Sequence, residues 1–144
     1  MDEDGQGPVA AAVNGGHMDE IVTSTAALLA RRHRRPLLLL NVIEVGHQQP
    51  LETSDEQALV RAESVLAAAQ EHVGDRRVKV QTEVCQARAA STAIIAAALR
   101  HDAASIVVGT HRFLGQHECD LGSTATHVLR QSPIPVTVCY DPIR

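Results

Sequence analysis

The stretch IVVGTHRFLGQHECDLGSTATHVL, residues 106–129, carries the signal from which the architecture follows. Ile106, Val107 and Val108 form an apolar, β-branched run too short for a helix, which predicts a strand buried on both faces. The run stops at Gly109. A polar loop follows, and Gly122-Ser123 opens a segment of helical spacing that reaches Gln131. A loop with a glycine at each end, between a strand and a helix, gathers backbone N–H groups where an anion is stabilised, most often a phosphate. The same glycines serve a chain that only has to turn, with Ser123 as the helix cap. Both readings stay open at this point.

Working outward, the same alternation recurs. PVAAAV, 8–13, is a short apolar run ended by the turn signal Asn14-Gly15-Gly16. From Asp19 to Arg34 the recurrence at Ile21, Thr25/Ala26, Leu28/Leu29 and Arg32 has helical spacing. Its end is basic, Arg31-Arg32-His33-Arg34-Arg35, where cations complement the helix dipole, and Pro36 closes it. LLLLNVIEV, 37–45, reads as a strand buried on both faces. GHQQPLETSD, 46–55, is a loop in which Thr53 or Ser54 is expected to cap the next helix. That helix shows Ala58/Leu59, Ala62, Val65/Leu66, Ala69 and Val73 on one stripe, and Gly74-Asp75 stops it. RVKVQTEV, 77–84, alternates, as an outer strand with one wetter face does. Ala89 to His101 is helical, with Ile94, Ile95, Ala98 and Leu99 inward. After the quoted loop and its helix, Pro133 and Pro135 lead into VTVCY, 136–140, a final strand at a sheet edge.

Strands separated by helices imply right-handed crossovers and a parallel sheet with helices on both faces, an α/β fold of three layers. Ligands in such folds sit beyond the carboxyl ends of the strands, at the point where strand order reverses. Loops 14–17, 43–47 and 109–122 meet there. Residues 1–7 read as a flexible tail and 8–144 as one domain, a length suited to a single core.

Composition narrows the function. Aromatic residues make up 1% of the chain and there is no Trp, so a surface that stacks nucleic-acid bases is not expected. The net charge of −4 gives no basic footprint for nucleic acid as a partner. The run of four leucines, Leu37 to Leu40, is far too short to insert in a bilayer, and no aliphatic run in the chain approaches the length needed. Three cysteines without a CxxC spacing, and an acidic, polar beginning, predict reduced thiols and a cytoplasmic location.

These residues resemble the universal stress protein family over nearly the whole chain. VAAAVNGG is similar to the family's first strand and turn, and LLLLNVIEV to its second strand. Residues 106–138 follow its pattern of glycine, two residues, glycine, nine residues, glycine, serine or threonine, then a helix and a proline-flanked strand. The resemblance implies an open five-stranded parallel sheet of order 3-2-1-4-5. It also implies ATP or another adenine nucleotide as ligand, with Mg accompanying the nucleotide as the one metal in view. Carried onto this chain, Gly109, Gly122, Ser123 and Thr124 would face phosphates, Asn14 the ribose or base, and Val42 and Val108 the adenine. Two positions depart from the pattern. Arg112 replaces the second glycine, and Asn14 stands where the first strand usually ends in an acid. Arginine there either plugs the phosphate site or clamps the phosphates. Asn14 keeps a carbonyl acceptor and loses the charge, which weakens a hydrogen bond to a ribose hydroxyl or a metal.

Other constellations carry less. His111, His117, Cys119, Asp120 and His127 cluster in sequence, but no pair has a standard zinc spacing, so no metal is expected there. His33, His47, His72 and His101, near element ends, are expected in solvent. No nucleophile elbow, HExxH or GxxxxGK[ST] is present, so catalysis is limited at most to slow ATP hydrolysis. The resemblance further implies a homodimer pairing Pro135 to Tyr140 antiparallel with the same strand of a second copy. The alternative function is the same fold without nucleotide, a protein-interaction module or the regulatory domain of a transporter.

Overall fold

A computed structural model describes residues 7–51, 55–110, 113–114, 119–120 and 122–140. In chain order its elements are β1 (Val9–Ala12), α1 (Asp19–His33), β2 (Leu37–Glu44), α2 (Glu56–Glu71), β3 (Val80–Ala87), α3 (Ala90–Arg100), β4 (Ser105–Thr110), β5 (Phe113–Leu114), β6 (Cys119–Asp120), α4 (Ser123–Gln131) and β7 (Val136–Tyr140). The main sheet runs β3-β2-β1-β4-β7 with every neighbouring pair parallel. Counted by its own strands, that is the expected order 3-2-1-4-5. β5 and β6 form a two-stranded antiparallel ribbon inside the long loop. Among the described residues, no helix is long and apolar enough to cross a membrane.

The core follows from the two-residue period of the strands. Leu37 and Leu39, with Val9, Ala11 and Val107, pack in the layer of α1 and α2. Leu38 and Leu40, with Ala10, Ile106 and Val108, pack in the layer of α3 and α4. The buried helix residues are mostly small, such as Ala26, Ala27 and Ala30 of α1 and Ala97 and Ala98 of α3. A chain this poor in aromatics fills its interior by bringing alanine-faced helices close to the sheet, not by inserting large rings.

Close approach decides which face of α1 packs. Its buried face is Val22, Thr23, Ala26, Ala27 and Ala30, while Ile21 is 39% and Leu28 68% exposed. The spacing that predicts this helix does not by itself set its packed face. The smaller residues allow it to lie against β1 and β4. Leu59 and Leu99, expected inward, are exposed, whereas Ala58, Ala62, Leu66, Ile94 and Ala98 are buried. The basic end of α1 agrees with the dipole argument. Arg31, Arg32 and His33 occupy its last turn, and Arg34 takes a left-handed conformation that closes it.

Two boundaries move for local reasons. The cap of α2 is Asp55, whose carboxylate accepts from the N–H groups of Gln57 (3.0 Å) and Ala58 (3.1 Å); the caps expected at Thr53 or Ser54 lie outside the described residues. β3 starts at Val80 instead of Arg77, because the Asp75 carboxylate accepts from the Arg77 N–H (2.9 Å) and holds a turn ahead of the strand.

β3 carries a polar cluster where solvated histidine was expected. Glu83 Oε1 lies 2.6 Å from His101 Nε2. Its Oε2 accepts from the Arg100 guanidinium and, at 3.4 Å, from the Cys85 thiol. Partial burial pushes the Glu83 carboxyl up, but the hydrogen bonds from His101 and Cys85 and the Arg100 charge outweigh it and leave it below the usual glutamate range. Burial, reinforced by Glu83, pushes the Cys85 thiol up, which makes it a poor nucleophile. A carboxyl depressed in the folded state adds stability that is present above the unfolded value, about 4.3, and lost as pH falls through the folded one. Thermal midpoints measured downward from pH 5 should therefore fall more steeply for the parent than for Glu83→Gln. Parallel curves would show that the cluster adds nothing to acid resistance.

Candidate functional site

β1, β2 and β4 end at the same edge of the sheet and open there into a cleft of about 120 Å³. Leu40 and Val42 of β2, Val108 of β4 and Ile94 of α3 form an aliphatic wall, and Asn14, Asp19, Gly109 and Thr124 also line it. Five of the eight residues singled out in the sequence, Asn14, Val42, Val108, Gly109 and Thr124, thus meet in one place. Gly122 and Ser123 adjoin Thr124 at the start of α4. Arg112 lies outside the described residues, as do His111 and His117.

The glycines act through space, not through turning. Gly122 has an ordinary φ of −65°, and Gly109 is not among the positive-φ glycines, Gly15 and Gly74. A Cβ on Gly109 would stand 2.7 Å from Val22 Cγ2 and 3.1 Å from Met18 Cβ. The missing side chain is what lets the first turn of α1 press against β4. A Cβ on Gly122 would stand 2.8 Å from Thr110 Oγ1, the same atom that accepts from the Gly122 N–H at 2.6 Å.

Ser123 is not the helix cap. Gly122 holds that position and has no side chain to cap the helix, so α4 begins with exposed Ser123 and Thr124 and, among the described residues, no side-chain cap from its own N-cap position. That arrangement suits an anion, since the first amides of a helix have no partner within it and the dipole favours negative charge.

The β1 loop is different. Asp19 accepts from the N–H of Asn14 at 3.0 Å and of Gly15 at 2.7 Å. The Asn14 side-chain oxygen Oδ1 accepts from the N–H of Gly16 at 2.8 Å. These amides are already bonded to protein, and the Asn14 acceptor expected to face a ribose is spent within its own loop. Asp19 was missed in the sequence, although an acid in the first helical turn after Asn-Gly-Gly is the available signal. Glu44 was missed as well. Its Oε2 accepts from the Ala90 N–H at 2.9 Å, capping α3 from the end of β2 where Ala89 offers no side chain. Ser91 Oγ lies 3.1 Å from His127 Nδ1 and joins α3 to α4. His127, one member of the sequence cluster, is thereby engaged between helices; the side chains of Cys119 and Asp120 are not among those described. A larger cavity of about 370 Å³ lies between β2 and α2 and shares Asn14 and Val42 with the cleft.

A family model for the universal stress protein family matches residues 7–139. Among solved structures, the universal stress protein from Archaeoglobus fulgidus is 20% identical with a TM-score of 0.75, over 91% of this chain and 96% of that one. The universal stress protein from Archaeoglobus fulgidus in complex with dAMP is 20% identical with a TM-score of 0.71, over 91% of this chain and 95% of that one. A universal stress protein in complex with cAMP is 18% identical with a TM-score of 0.59, over 95% of this chain and 100% of that one. At these identities the likeness speaks for the fold. No curated protein sequence matches the chain significantly.

Proposed function

The chain belongs to the universal stress protein family, and on that footing we propose that it binds an adenine nucleotide in the cleft and acts in the cytoplasm as a dimeric regulatory module of the stress response. The observation that carries this reading is the aliphatic wall of Leu40, Val42 and Val108 beside the uncapped start of α4. An apolar slot next to a helix N-terminus suits a ligand that is flat and apolar at one end and anionic at the other. Val42 and Val108 would flank the base, and Gly122, Ser123 and Thr124 would present the start of α4 to the phosphate. Relatives of the same fold in complex with dAMP and cAMP support the choice of ligand class. For the dimer, the support is the place of β7 at one edge of the sheet, since an edge strand is where a second strand can add. A solution mass of twice 15.4 kDa would be expected.

Two observations favour the other reading, an interaction module that holds no nucleotide. The amides of the β1 loop are taken by Asp19 and Asn14. The 120 Å³ cleft is below the roughly 300–1,000 Å³ of ordinary ligand pockets, so a nucleotide would have to extend beyond it, along α4 or into the adjoining cavity of about 370 Å³. Calorimetric titration with AMP, ADP, ATP and cAMP separates the readings. Ser123→Glu is the informative variant, because an acid at the first helical position favours the helix while repelling a phosphate. It should weaken nucleotide binding by on the order of tenfold without lowering the thermal midpoint. Arg112→Gly should bind more tightly if the arginine is a plug and more weakly if it is a clamp. No heat with any of the four nucleotides would leave the interaction module as the function.

A further inference from the structure

The end of the sheet opposite the cleft concentrates positive charge. A parallel sheet starts its strands and ends its helices at one edge, so segments far apart in sequence meet there. α1 ends in Arg31, Arg32 and Arg34, and β3 is entered past Arg76, Arg77 and Lys79. The Leu37 N–H donates to the Lys79 carbonyl at 2.8 Å, which sets the second group beside the start of β2. Asp75 ties the two groups together, 3.1 Å from Arg77 Nε and 3.5 Å from Arg31 Nε. That one carboxylate is fully engaged, and Arg31 Nε still makes no hydrogen bond. Arg35, the next cation in the run, is used internally, since its Nη1 donates to the Gly7 carbonyl at 2.9 Å. Arg32, Arg34, Arg76 and Lys79 are exposed and have no ion pair among the described residues.

We propose that this end is a docking surface for an acidic segment of a partner protein, rich in Asp and Glu. Guanidinium groups hold carboxylates in a planar, two-pronged geometry, and nearly all the cations here are arginine. The surface has no aromatic residue: the chain's Phe and Tyr are Phe113 and Tyr140, in other elements, and Trp is absent. Base stacking and aromatic anchoring at a lipid headgroup layer therefore have no support here. The chain as a whole is nevertheless acidic, with 17 Asp and Glu against 13 Lys and Arg. A long polyanion or a flat anionic membrane would be repelled by the rest of the surface, whereas a short acidic segment meets the basic end alone. Leu28, 68% exposed, lies one turn before Arg32 on α1 and offers an apolar contact next to the charge.

Fluorescence anisotropy of a labelled peptide of alternating Glu and Leu, titrated with the full chain at low salt, tests the proposal. The peptide should bind, and added salt should weaken it. Arg32→Glu combined with Arg76→Glu should weaken it by on the order of tenfold. Arg34→Gly should also weaken it while raising the thermal midpoint, because glycine relieves the left-handed residue, whose φ is 58°. Undiminished peptide binding by both variants would overturn the proposal. So would tighter binding of single-stranded RNA or of phosphatidylserine vesicles than of the peptide, since the first would make the surface a nucleic-acid site and the second a membrane contact.

Discussion

Leu40→Ala should destabilise the fold by about 3 kcal/mol, in the middle of the roughly 2–5 kcal/mol that truncating a buried leucine costs. Leu40 is 0% exposed. It sits opposite Ala12 on one side and Glu83 on the other, so neither the strand nor its neighbours can slide to fill the vacated space. Its side chain belongs to the core beneath α3 and α4 and to the wall of the cleft at once. A domain of this kind has about 5–15 kcal/mol of stability in total, so the loss would be plain in urea unfolding as a lower midpoint with an unchanged slope. A loss under about 1 kcal/mol would mean that the cleft side relaxes into the hole and that β2 is not clamped where the pairing puts it.

Gly109→Ala should cost about 1–3 kcal/mol, the range for overpacking a close contact. The added methyl would meet Val22 Cγ2 at 2.7 Å and Met18 Cβ at 3.1 Å, and Val22 is 1% exposed with nowhere to retreat. Combining it with Val22→Ala removes the clashing atom, so the double variant should lose less than the sum of the two single losses. This cycle separates two roles for the glycine. A loss that is present without nucleotide and is partly recovered by Val22→Ala assigns Gly109 to packing α1 on β4. Full stability with abolished nucleotide binding would assign it to the ligand instead.

The parallel sheet and the edge at which its loops meet were legible because they rest on period and on topology, whereas the strand order and the choice of Asn14, Val42, Val108, Gly109 and Thr124 came from the resemblance to the universal stress protein family. Strands at the middle of a parallel sheet are apolar throughout, and their carboxyl ends must share an edge. The packed face of α1 was not legible. Helical spacing marks Ile21 and Leu28 as readily as Ala26, whereas the helix buries its small residues because Gly109 and β1 draw it close. The start of β3 was hidden by the side chain of Asp75, which extends the turn through residues whose alternation already resembles a strand. Within the cleft, composition marked glycines and hydroxyls but missed Asp19 and Glu44. Asp19 acts on amides four and five residues away, where an acid after Asn-Gly-Gly is the local signal, whereas Glu44 acts on an amide 46 residues away, which no local spacing announces.

The closed β1 turn, its amides bound by Asp19 and Asn14, bears on selectivity. A ligand's negative end would find donors on one side of the crevice, at the helix beginning with Ser123, and a wall of satisfied groups on the other. Each added phosphate would then bring charge without a matching hydrogen-bond donor from the first strand. Affinity would depend little on phosphate number, and the site would report the presence of the nucleoside more than its energy charge.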